Sequence, residues 1–235
     1  MRFEVAPEAL RAFPGIRLAV VVARGIDNLR PRPDVADRWR RAWARAEDLV
    51  ARHGNPQSHP RVAPWRVRLR AVGAHHRDHP ASIEALLRRA AKGGDPFSID
   101  PLVDLYNAIS LEHVMPAGGF DLAAVRGPIE LRATRPGDRF HGLDEPTPTE
   151  VPPGELAYCD GSTVLTRHVV WKQGREGLIS EATTDVFLVS EALGELEVDA
   201  AEAVLADLTD GLRSAFGVEP VVSVVVDAAS PGVTW

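Results

Sequence analysis

The 235-residue sequence predicts an α+β fold, one mixed domain over residues 1–235, and three observations predict it. Helical periodicity dominates the first half. Short runs with a period of two fill the middle. A helix followed by a valine-rich strand closes the chain. Segregated helices and strands of this kind are the pattern of an α+β domain.

Taken in order, residues 16–24, I-R-L-A-V-V-V-A-R, read as a buried strand. Residues 34–52 read as a helix, because Val35, Trp39, Ala42, Trp43, Ala46, Leu49 and Val50 form an apolar stripe and Gly54 suits a C-terminal cap. Trp39 and Trp43 sit on that stripe, so they are expected in the core and not as a platform for stacked bases. Residues 55–64 carry three prolines and read as a loop. Residues 65–72 alternate apolar side chains with Arg, the pattern of a half-buried strand, which would set Arg66, Arg68 and Arg70 on one face. Ser82 is placed to cap a helix that runs to about Lys92 and ends at Gly93-Gly94.

The central stretch, D-P-L-V-D-L-Y-N-A-I-S-L-E-H-V-M-P-A-G-G-F-D over 100–121, begins as a helix. Asp100 is its cap and Pro101 suits the first helical position. Leu102, Leu105, Tyr106 and Ile109 face the core. Asn107, Ser110, Glu112 and His113 gather toward the end, Pro116 stops the helix, and Gly118-Gly119 allows a tight turn or a close approach to a ligand. A polar helix end beside two glycines suits the wall of a small-molecule pocket. A buried helix with an ordinary Pro/Gly exit accounts for the same residues.

Beyond it, strands are expected over 129–134, 155–160, 163–171, 177–183 and 185–190, with the proline-rich run 146–154 as a surface connector. In the last helix Asp199 and Glu202 form a capping-box-like pair. Val204, Leu205, Leu208, Leu212 and Phe216 make its stripe, Gly217 closes it, and 221–226 is a final buried strand.

Hydrophobic content of 45% and charged content of 26% are ordinary for a soluble globular domain. No apolar run reaches signal-peptide or membrane-span length; Leu18 to Ala23 is strand-sized. The single Cys159 excludes an internal disulfide and, inside an apolar strand, reads as core. A cytoplasmic location is expected. Charge is unevenly placed. Residues 1–100 hold 19 Lys and Arg against 11 Asp and Glu, a net of +8, and the remainder holds 8 against 22, a net of −14. A basic first half offers a face for a polyanion such as RNA, with Arg41, Arg45, Arg66, Arg68 and Arg70 as candidates. The competing explanation is an Arg-rich composition with only two Lys.

There is no phosphate loop, dinucleotide glycine fingerprint or nucleophile elbow. His75, His76 and His79 match no zinc spacing, so no metal and no cofactor is expected. The candidates that remain are diffuse. Asn107, Ser110 and His113 can share a helix face. Arg167 and His168 neighbour each other on a strand, and Thr183 offers a hydroxyl. Each is individually compatible with a purely structural role.

The segments S-I-E-A-L-L-R-R-A at 82–90, L-V-D-L-Y-N-A-I-S-L at 102–111, P-A-G-G-F-D-L at 116–122, I-E-L-R-A at 129–133, G-E-L-A-Y-C-D at 154–160 and R-H-V-V-W-K-Q-G at 167–174 carry a resemblance. In this order they resemble a free-standing form of the tRNA-editing domain of the phenylalanyl-tRNA synthetase beta subunit, most clearly over 65–193. The resemblance implies a mixed α/β domain with an amino-acid pocket that hydrolyses wrongly charged tRNA. It implies a pocket role for Asn107 and matches Pro116, Phe120 and Asp121 to the family's P-x-x-x-F-D ending. The family's editing histidine falls two residues after that proline, where this chain has Gly118.

Two readings follow. The first is a trans-editing aminoacyl-tRNA deacylase, with Asn107 and His113 as catalytic residues and Tyr106, Ser110, Gly118, Gly119, Arg167, His168 and Thr183 around the substrate. The second is a module that binds an amino acid or aminoacyl-tRNA without cleaving it, motivated by Gly118. A third, an unrelated small-molecule enzyme, rests on the acidic second half.

Overall fold

The computed structural model describes residues 1–75, 77–194 and 198–235. The architecture is α+β. It is built from β1 (Arg2–Val5), α1 (Pro7–Ala12), β2 (Ile16–Ala23), α2 (Pro33–His53), α3 (Ala63–Ala71), α4 (Ser82–Ala90) and α5 (Pro101–His113). Then follow β3 (Ala117–Asp121), β4 (Ile129–Ala133), β5 (Arg139–Phe140), β6 (Thr149–Glu150), β7 (Leu156–Asp160), β8 (Thr163–Arg167), β9 (Lys172–Gln173) and β10 (Val186–Leu193). The chain closes with α6 (Val198–Gly211), a π-type turn (Leu212–Phe216), β11 (Val222–Val226) and β12 (Gly232–Thr234).

The strands form two sheets. One has the order β12-β1-β4-β7-β8-β5-β6, with β9 added on β8; the other has the order β11-β2-β10-β3. β2 explains its own unbroken apolar run. Leu18, Val20 and Val22 enter one core cluster with Phe187 and Trp39, whereas Ala19, Val21 and Ala23 enter a second with Leu105 and Leu208. Both faces of this sheet are covered, so alternation in the sequence is lost. Among the described residues β3 pairs only with β10 and forms an edge of the smaller sheet.

The helix signals fall where the sequence puts them in two cases. Asp100 Oδ1 accepts from the Val103 N–H at 2.9 Å, and Gly54 caps α2 at φ +75°. Trp39 and Trp43 are buried and donate through Nε1 to the carbonyls of Phe97 and Gly94 at 2.6 and 2.9 Å.

Four expectations are corrected. Residues 65–72 are not a strand but the body of α3. Pro64 opens it, and Trp65 and Leu69, one helical turn apart, point into the core while Val67 is 67% exposed. Arg66 and Arg70 therefore lie about one turn apart, and Arg68 falls on another side of the helix. The Gly118-Gly119 turn is instead the middle of β3. The strand expected over 177–183 is a turn in which the Thr183 hydroxyl accepts from the Ser180 N–H at 3.0 Å. The strand begun at Thr163 stops at Arg167, because His168 and Val169 take positive φ of 47° and 63°.

Capping also differs. Ala81, not Ser82, is the cap of α4, and Asp199 lies inside the first turn of α6. His76, one of the three clustered histidines, lies outside the described residues.

Candidate functional site

The site lies where the two sheets meet, and β3 makes one wall. Register in an antiparallel pair alternates, so every second residue turns its backbone groups toward the neighbour. The Glu191 N–H donates to the Pro116 carbonyl at 3.2 Å, which sets residues 116, 118 and 120 facing β10. The odd residues face the open edge. Gln173 Nε2 accordingly donates to the Gly119 carbonyl at 2.9 Å, and the Asp121 N–H donates to the Gly177 carbonyl at 2.9 Å. The N–H groups of Ala117 and Gly119 have no backbone partner across this edge among the described residues.

A cavity of about 110 Å³ opens against that edge. Its lining includes Gly118, Gly119, Tyr158, Trp171, Gln173 and Glu191. The two glycines are glycine for different reasons. A Cβ on Gly119 would stand 2.6 Å from Leu188 Cδ2 and 2.7 Å from the Phe187 carbonyl oxygen. A Cβ on Gly118 would meet nothing within 4 Å, so its missing side chain leaves room in the cavity.

Glu191 brings a carboxyl group into this cavity. It is 4% exposed, and the Tyr158 hydroxyl donates to its Oε1 at 2.7 Å. Burial pushes its carboxyl up to about 8, more than the Tyr158 hydrogen bond brings it down. Tyr158 is itself held between Phe3 and Phe120, with ring centroids at 6.1 and 5.7 Å. A buried carboxyl with a raised pKa in a cleft is a group prepared for proton transfer or for hydrogen bonding in its neutral form.

A second cavity, of about 280 Å³, shares Ser82, Ala117 and Trp171 with the first. Asn107, Ser110, Arg89 and Phe97 complete its character. The Ser110 hydroxyl is already committed to the Met115 carbonyl at 2.5 Å, while Asn107 is half-buried with no side-chain partner among the described residues.

The remaining sequence candidates lie elsewhere. Tyr106 is packed in the core beside α6, where burial raises its hydroxyl pKa. Thr183 donates to Asp121 Oδ2 at 2.9 Å within its turn. Arg167 grips Glu155 through Nε and Nη2, at 2.9 Å from Nε to Oε1. His168 lies against the same carboxylate, 3.5 Å from Nε2, and its ring meets that of His79 at a tilt of 56°, centroids 4.3 Å apart. Burial lowers the His168 pKa to about 4, so the ring is neutral. This pair braces the strained segment that carries Val169, Val170 and Trp171 into the cavity wall.

His113 lines neither cavity. Its Nε2 lies 2.6 Å from Asp207, whose carboxylate also takes Arg38 at 3.1 Å, while Arg38 bonds Glu112 at 2.5 Å. Of the arginines, Arg66 is bound to the fully buried Glu84 at 2.6 Å. Arg41, Arg45, Arg68 and Arg70 are exposed and make no ion pair among the described residues. Cys159 is buried, with its thiol pushed up to about 12 by burial, and is inert.

Glu191, Tyr158, Trp171 and Gln173 are the site residues that sequence reasoning missed. The signal for Glu191 was present, a carboxylate inside the apolar run V-F-L-V-S-E-A-L. β10 continues to Leu193, three residues past its expected end, and carries Glu191 into the cavity.

With this geometry in view, comparison with known proteins gives the class. The B3/4 domain family matches residues 65–210, and the chain belongs to that family. Its curated relatives include the beta subunit of phenylalanine–tRNA ligase from Chromobacterium violaceum, 33% identical over 110 residues, covering 47% of this chain and 14% of the relative. The same subunit from Colwellia psychrerythraea is 35% identical over 101 residues, covering 43% and 12%. The chain thus spans about an eighth of the length of these relatives. Among solved structures, an N-terminal fragment of the phenylalanyl-tRNA synthetase beta subunit from Pyrococcus horikoshii shares the fold. Its TM-score is 0.50 at 11% identity, over 93% of this chain and 49% of the fragment.

Proposed function

We propose that this protein is a trans-acting aminoacyl-tRNA deacylase that hydrolyses the ester of a mischarged tRNA. The observation that carries the reading is the meeting of Glu191 with the open edge of β3 in one cavity. Family membership and the likeness to synthetase beta subunits support an aminoacyl ester as the substrate class.

In this reading the acyl carbonyl lies against β3, and the Gly119 N–H donates to the oxygen on which negative charge develops. Glu191, as carboxylate, takes a proton from the attacking water as its oxygen bonds to the carbonyl carbon. The intermediate collapses by expelling the ribose oxygen, which takes up the proton that Glu191 accepted and restores the carboxylate. Free amino acid and uncharged tRNA leave. The acyl side chain occupies the space beside Gly118. The exposed Arg41 and Arg45 on α2 take phosphates, so affinity falls with salt. His113 keeps a structural part in its ion-pair knot.

A second reading, binding without cleavage, is favoured by one observation. Among the described residues no histidine lines either cavity, and Gly118 occupies the position where the family's editing histidine is expected. Deacylation of a panel of mischarged tRNAs separates the two. Release of one or two amino acids, with a rate that rises to a plateau above about pH 8, is the expected result. Absence of release from every species, together with salt-sensitive binding of charged tRNA, would replace hydrolysis with binding.

A further inference from the structure

The second cavity has a chemistry of its own. Phe97 is fixed edge-on against Trp39 and Trp43, with centroids at 5.8 and 5.9 Å, and its carbonyl is tied to Trp39 Nε1. The Arg89 guanidinium lies over the Phe97 ring, 3.8 Å from its centroid, and has no carboxylate partner among the described residues. Trp171 lines this cavity and the first one alike. Asn107 lines the same cavity, and its amide offers a donor and an acceptor side by side with no side-chain partner among the described residues.

Aromatic rings and guanidinium planes stack on nucleobases, and an Asn amide matches the paired donor and acceptor of adenine N6 and N7. We infer that this second cavity is a nucleobase site that takes adenine, with Asn107 reading its edge and Arg89, Phe97 and Trp171 supplying stacking surface. The inference rests on the proposed function for its sense, since tRNA ends in an adenosine whose ribose carries the acyl group. One aminoacyl-adenosine would then span both cavities across their shared wall of Ser82, Ala117 and Trp171.

The experiment is a titration followed by NMR, with adenosine, cytidine and an amino-acid methyl ester as probes. The proteins are wild type, Asn107→Ala, Phe97→Ala and Glu191→Gln. Adenosine is expected to bind saturably, shift the Trp171 indole and Asn107 signals, and bind more tightly than cytidine. Asn107→Ala is expected to weaken adenosine about tenfold, as loss of a bidentate base contact does, and to leave the methyl ester unaffected.

Phe97→Ala removes a residue that Trp39 and Trp43 also use, so Asn107→Ala, which deletes an unpartnered amide, is the deciding variant. Equal adenosine binding by wild type and Asn107→Ala, no preference over cytidine, or no saturable shift would each overturn the site. Glu191→Gln should keep adenosine binding. Adenosine binding with the expected pattern but no deacylation would sink the hydrolase reading and leave the nucleobase site standing. Deacylation without adenosine binding would do the reverse.

Discussion

Two clusters of titratable groups invite comparison, Glu191 with Tyr158 in the cavity and His113 with Asp207, Arg38 and Glu112 between the helices. Both join a carboxylate to hydrogen-bonding partners, but their charge balance is opposite. The hydrogen bond from His113 lowers the Asp207 pKa first and Arg38 adds to it, so the carboxylate stays ionised and matched. No cation makes an ion pair with Glu191 among the described residues, and burial dominates. A group whose charge is already matched has little reason to exchange protons near neutrality. A buried carboxyl without a cation has a pKa of about 8 and does so readily. In the proposed reading the difference puts the chemistry on the strand and leaves the helix end to stability.

The largest expected effect breaks the comparison if it fails. Glu191→Gln keeps the shape and removes the proton acceptor, so the rate of ester hydrolysis should fall by about 10²-fold or more. His113→Gln should leave that rate within about threefold and lower the melting temperature, since Asp207 and Arg38 lose a partner. Initial rates on the preferred mischarged tRNA, with thermal melts of both variants, decide it. Loss of activity in His113→Gln with retention in Glu191→Gln would reverse the assignment.

The two glycines sharpen it at the next level. Gly119→Ala forces a methyl into a backbone carbonyl and Leu188, which should cost about 1–3 kcal/mol as overpacking does and spread the β3–β10 pairing. Gly118→Ala meets open space and should fold as wild type, within about 0.5 kcal/mol, while reducing room for the acyl side chain. Denaturant melts give the first difference, and the ranking of amino acids released by Gly118→Ala gives the second. Equal stability of the two variants would mean that the edge strand yields more readily than its contacts imply.

How much of this was legible in the sequence follows from which physical signals are local. Helix caps at Asp100 and Gly54, the apolar stripe of α2 and the unbroken run of β2 are short-range patterns, and they located the elements. Alternation in W-R-V-R-L-R misled, because Trp65 and Leu69 also fit helical spacing and Pro64 opens a helix. The site was legible only in part. Gly118, Gly119 and Asn107 were reachable through one helix and its exit. Tyr158, Trp171 and Glu191 reach the same space from three other segments, and only the pairing of β10 with β3 brings Glu191 beside Gly118. Burial, which raises the Glu191 pKa, is a property of that assembly and has no trace in local spacing.

The smallest expected effect is the pH dependence of stability, and it tests the same contrast without any substrate. Glu191 binds its proton more tightly folded, up to about pH 8, than unfolded, near its ordinary 4.5. Between these values the native state holds more protons, so its contribution to stability falls as pH rises through that window and levels off above it. His168 acts at the other end. Its pKa is lowered to about 4 from 6.5, so the unfolded state binds more protons there and stability falls as pH drops through that window. Urea melts from pH 4 to 9 should therefore show Glu191→Gln with a flatter decline between about 5 and 8 than wild type, the two differing progressively more as pH rises. Asp207, whose pKa is lowered, predicts the opposite sign for its own variant. Asp207→Asn should lose least, relative to wild type, at the acid end, where the native carboxylate begins to take up its proton. Parallel curves for Glu191→Gln and wild type would mean that the cavity carboxyl titrates normally, and the chemical contrast between the two clusters would go with it.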